Sequence, residues 1–193
     1  MPELNGEPLV DPDPIALASL AIAVGAFVIQ LADYYKKSPN EGARAAQPIP
    51  HTVRNTLSKL EEAIEDVEKA FRNIIRIAER GSSNVETELY AAPVRVGQSQ
   101  LLLPKQVHQE FSRSLMEAFA KTGVLGLWIS SVMSNHPEIA HLIGEKLESR
   151  TRQSAENFNK ILSEGRPIRE ALLEANMLLQ ALREVVTSLV ERN

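Results

Sequence analysis

At 193 residues, 44% of them hydrophobic, the chain suits a single domain with a substantial core. A formal net charge of −4 leaves no electrostatic footprint for nucleic acid, which is not an expected partner. The absence of cysteine excludes disulfides, thiol nucleophiles and thiolate metal sites, and makes the cytoplasm the default compartment.

Residues 1–14 have the Pro, Asp, Glu and Gly content of a loop. Asp13 before Pro14 forms an N-cap and first-turn pair for a helix predicted to run to about Lys37. Within it, residues 15–31 (IALASLAIAVGAFVIQL) carry no charge and are interrupted only by Ser19, Gly25 and Gln30. On a helical wheel Leu17, Leu20, Val24, Phe27, Leu31 and Tyr34 form one large-residue stripe. Ala18, Ala21, Gly25 and Ala32 follow a second face, and Ser19, Ala23, Ala26 and Gln30 a third. No polar face remains, so the helix is destined either for a protein core or for lipid, and its small-residue rows admit a close neighbour in both.

Length alone does not decide between them. The stretch spans about 25 Å against a hydrocarbon core of about 30 Å. Tyr34, Tyr35, Lys36 and Lys37 would extend it with an aromatic and cationic interfacial anchor. The segment before it carries Glu3, Glu7, Asp11 and Asp13 and no Lys or Arg, which argues against a cleaved signal peptide. Basic residues follow instead, so a spanning helix would leave the bulk of the chain in the cytoplasm, against the inner membrane.

Residues 38–50 (SPNEGARAAQPIP) hold three prolines and a glycine and read as a linker or hinge. Residues 51–80 place Val53, Leu57, Leu60, Ile64, Val67, Phe71, Ile74 and Ala78 alternately four and three apart, the spacing of a bundle helix, with Gly81 as a C-cap. Residues 82–104 read as an irregular connection, with room for a short strand at 94–96. A third helix is predicted over residues 105–134, facing Val107, Phe111, Leu115, Ala118 and Phe119 inward. It ends in a second charge-free block, residues 122–135, which at about 14 residues is too short to span a membrane and suits a core. Pro137 opens a fourth helix whose polar middle, ESRTRQSAEN, is expected to face solvent. Gly165 and Pro167 separate it from a fifth, in which Ile168, Leu172, Ala175, Leu179, Leu182, Val186 and Leu189 repeat the heptad spacing and make it a match for the second. The expected architecture is all-α, a bundle of about five helices with an apolar first helix. Residues 1–37 form a tail plus that helix, 38–50 the linker and 51–193 the bundle.

Catalytic and metal chemistry find few handholds. Glu138, His141 and Glu145 share ligand-like spacing, but a di-iron bundle requires two E-x-x-H motifs and further carboxylates, so this is read as a solvated helix face and neither metal nor cofactor is expected. There is no nucleophile elbow, phosphate loop or dinucleotide fingerprint, and the chain is read as a non-enzyme. Trp128 is assigned to the core.

An apolar first helix, a proline-bearing hinge and long amphipathic helices together resemble the membrane-targeting cell-death and antiviral effectors of the HeLo and four-helix-bundle type. The resemblance is one of architecture. It implies homo-oligomerisation through the bundle and permeabilisation of the inner membrane by the first helix, as a pore or ion channel, under a regulatory protein partner. In that scheme Ala18, Ser19, Ala21, Ala23, Gly25, Ala26 and Phe27 pack inserted helices together in membrane lipid, and Tyr34 to Lys37 anchor them. The alternative is a soluble homo-oligomeric adaptor whose first helix lies in the core or swaps into a partner subunit.

Overall fold

Heptad-spaced apolar residues become the inward faces of long helices in the computed structural model, which describes residues 14–37, 49–80 and 105–191. Five helices make up the described residues: α1 (Pro14–Lys37), α2 (His51–Arg80), α3 (Lys105–Asn135), α4 (Pro137–Glu164) and α5 (Ile168–Val190), with no strand among them. The expected cap at Gly81 and strand at 94–96 lie outside the described residues.

Punctuation in the sequence sets the boundaries. Pro137 occupies the first turn of α4, where its missing N–H costs nothing. Gly165 closes that helix in the left-handed conformation, φ 65°, its N–H donating to the Ile161 carbonyl; a side chain there would be strained. Pro167 then caps α5.

One continuous core joins all five helices. Leu57, Leu60, Ile64 and Val67 of α2 are buried, as are all seven heptad positions of α5. α2 packs most extensively on α3 and only secondarily on α5, the partner its heptads suggest. The reason is available surface: α3 turns Phe111, Leu115, Ala118, Leu125, Ile129 and Val132 inward, whereas α5 divides its inner face among α4, α1 and α2. α1 belongs to the same core, packing on α4, α5 and α3. In the polar middle of α4 half of the residues face solvent, but Thr151 is buried, its hydroxyl donating to the Leu147 carbonyl at 2.8 Å.

Candidate association surface

A helix that is apolar all round gives no periodic clue to the side it will bury, and in α1 packing makes the selection. Leu17, Leu20, Ala21, Val24, Val28 and Leu31 are wholly buried, Ala18 and Ala32 nearly so, whereas Ile22 is 38% exposed. Phe27 and Tyr34, two members of the large-residue stripe, are only partly covered.

Three glycines fix how closely α1 approaches its neighbours. Gly25 of α1 accepts the Phe158 ring of α4, and a Cβ there would stand 2.4 Å from the ring tip. Gly126 of α3 accepts the Phe27 ring, at 2.6 Å by the same measure, and a Cβ at Gly144 of α4 would stand 2.7 Å from the Leu31 carbonyl oxygen. Small residues that suit helix–helix contact in lipid are here occupied by contacts within one chain. Of the residues expected to pack inserted helices, Ala18, Ala21 and Gly25 face the core, Ser19 and Ala26 face solvent, and Ala23 and Phe27 lie between.

The expected anchor residues are engaged in the same way. The Tyr34 hydroxyl donates to the Met133 carbonyl at 3.4 Å. The Tyr35 ring lies 5.0 Å from the His141 ring, tilted 56°. Lys36 pairs with Asp33 at 3.2 Å and with Glu148 of α4 at 3.8 Å. The Lys37 side chain lies outside the described residues.

His141 overturns the reading of Glu138, His141 and Glu145 as a solvated face. It is buried, while Glu145 is exposed. Gly144, one turn on, draws α1 against α4, and Tyr35 then covers the imidazole. Among the described residues no group of three His, Asp or Glu is placed to hold a metal ion.

The outer side of α1 and α3 is more distinctive. Next to the Phe27–Gly126 contact the two helices leave Ala26 and Leu127 exposed. From there Ser19, Ile22 and Gln30 continue along α1, and Gly123, Val124, Ser130 and Ser134 along α3. None of these carries charge, and Leu127 is 72% and Val124 47% exposed. Uncharged exposed rows on two adjacent helices are the composition of a contact surface.

A polar recess of about 620 Å³ lies on the opposite side, where α2, α4 and α5 bring together Glu68, Arg72, Arg150, Arg183, Glu184 and Thr187. Arg183 donates to Glu68 at 2.9 Å, Arg150 to Glu184 at 2.7 Å, and Thr187 to Glu61. Opposite charges along its wall give no preference for one sign of ligand. The displaced ionisations belong to solvated faces: Lys59 beside Glu62 holds that carboxyl below its usual range, and Glu117 beside Lys121 raises the ammonium. These are surface ion pairs of modest worth.

No family model matches the chain, and neither a curated protein nor a solved structure matches it.

Proposed function

We propose that the protein is a non-enzymatic, homo-oligomeric interaction bundle whose first helix stays within protein and whose uncharged α1–α3 face meets another subunit. The observation that carries this reading is the packing of α1. Five of its large side chains, Leu17, Leu20, Val24, Val28 and Leu31, are at 0% exposure. At about 1.5–3 kcal/mol each, their burial contributes roughly 8–15 kcal/mol gross. On the same transfer scale the nine strongly apolar side chains of α1 would gain at least as much in lipid, so side-chain burial alone does not choose the medium. What favours the bundle is what α1 covers: withdrawing it would expose the Phe158 ring and the surfaces at Gly126 and Gly144, a cost that insertion in lipid does not return.

A second reading keeps the membrane role. Ala16–Lys36 is long and apolar enough to cross a membrane, with mean hydropathy 1.9, and a trigger that opened the bundle would free it to insert and self-associate as a permeabilising effector at the cytoplasmic face of the membrane. Fractionation of the full chain separates the two. The interaction bundle leaves the membrane pellet under high salt and alkaline carbonate and scatters light as a multimer; Leu127→Glu converts it to a folded monomer. A carbonate-resistant pellet would overturn the first reading in favour of the second.

A further inference from the structure

α1 stands apart from α2, the helix to which it is joined. Its packing partners are α3, α4 and α5, and its contact with α2 is marginal at most. Consecutive helices of a bundle usually lie side by side. Here the specific interactions that hold α1 are made with α3 or α4: the seats at Phe158, Gly126 and Gly144, the Tyr34–Met133 hydrogen bond and the Lys36–Glu148 ion pair. They depend on the groove and not on which chain supplies the helix.

Residues 38–50 are the covalent tie between α1 and the remainder. Their contour reaches at most about 45 Å, longer than the roughly 36 Å of α1 itself, so the tie is long enough to deliver α1 to a neighbouring bundle. Exchange of an identical element between copies keeps every contact that the element makes and is a low-cost route to a dimer. The uncharged faces of α1 and α3 would add the new contact where the two bundles meet.

We propose that two copies of this chain exchange α1, each seating its first helix in the α3–α4–α5 groove of the other, an inference that rests on the homo-oligomeric reading above. The chain has no native cysteine, so a single engineered pair reports the connectivity. At position 144 a Cβ would lie 3.1 Å from the Cβ of Tyr35, and the retreat of several tenths of an ångström that any side chain there imposes on α1 brings the pair into the roughly 3.5–4.5 Å of a disulfide. The full chain carrying Tyr35→Cys and Gly144→Cys is oxidised, sized by light scattering and run on a non-reducing gel. Exchange gives a covalent dimer from the dimeric fraction. A disulfide closed within one chain of a dimer overturns the exchange and leaves the homo-oligomer standing; a monomer at every concentration overturns both.

The unmodified protein provides an independent readout if the double variant does not fold. Equal amounts of unlabelled and ¹⁵N-labelled chain are refolded together, and Lys36 is joined to Glu148, 3.8 Å away, by a zero-length carbodiimide. Exchange yields mixed-isotope peptide pairs in about half of the cross-links from the dimer, as random pairing requires. Cross-links that are uniformly one isotope or the other refute it, as does failure of the joined peptides to appear in a dimer.

Discussion

Replacing Gly144 by alanine tests the close approach of the α1 backbone to α4. The added Cβ would lie 2.7 Å from the Leu31 carbonyl oxygen and 3.1 Å from both the Tyr35 nitrogen and Cβ, where ordinary contact begins at 3.4 Å. The obstacle is the backbone of α1, which cannot swing aside as a side-chain tip can, so the whole helix must retreat by several tenths of an ångström and loosen its packing. Overpacking of this kind costs about 1–3 kcal/mol, against a gain of up to about 1 kcal/mol from replacing glycine within a helix. Gly123→Ala supplies the control, with nothing within 4 Å of the new Cβ; because Gly123 belongs to the α1–α3 face, both variants are made on the Leu127→Glu background, where that face is uncovered. The propensity gain is common to both variants, so their difference in stability isolates the collision, about 1–3 kcal/mol. Urea titration reads it as a difference in midpoint at unchanged slope, and thermal unfolding as roughly 2–4 °C per kcal/mol for a chain of this size. Gly144→Ala unfolding at or above the midpoint of Gly123→Ala would refute the seating of α1 on α4.

Gly25→Ala is expected to destabilise by about 1–3 kcal/mol through collision with the Phe158 ring, and Phe158→Leu, by shortening that ring, should restore part of the loss in a double-mutant cycle; additive losses would count against the contact. Thr122 is 2% exposed and its hydroxyl has no hydrogen-bond partner among the described residues, so Thr122→Val should leave stability unchanged or raise it by about 1 kcal/mol in urea titration, whereas a clear loss would reveal a partner for the hydroxyl. Arg183→Ala removes the donor at 2.9 Å from buried Glu68 and should cost about 1–3 kcal/mol by the same assay; the further change Glu68→Leu should recover most of it, and failure to recover would assign the loss to Arg183 packing instead.

Helix ends and heptad faces were open to reading because their signals are local. Pro137, Gly165 and Pro167 act within a turn of where they stand, and the alternating spacing in α2 and α5 leaves one face to bury. α1 offered no such bias: with all sides apolar, only the shapes of Phe158 and Gly144, more than a hundred residues away, decide that Gly25 turns inward and Ile22 outward. His141 was misread for a related reason. Its glutamate neighbours suggest water, while Tyr35, which covers it, comes from another helix. The preference of α2 for α3 likewise depends on competition for surface, which no single helix encodes. The charge-free block at residues 122–135 suits a core by its length, and Gly126 does receive Phe27; that the same block also leaves Leu127 in solvent follows from its opposite side having no neighbour among the described residues.

Placing the first helix against the last three gives synthesis a timetable. α1 is complete at Lys37, but its first packing partner begins at Lys105 and α5 ends only at Val190. At about 5–20 residues per second on the ribosome, the full groove follows α1 by roughly 8–30 s. For that interval the most apolar segment of the chain is without its full set of partners, so a chaperone, a membrane surface or another nascent copy can reach it first. The order of the helices therefore leaves the fate of α1 open to kinetic competition before folding equilibrium can act.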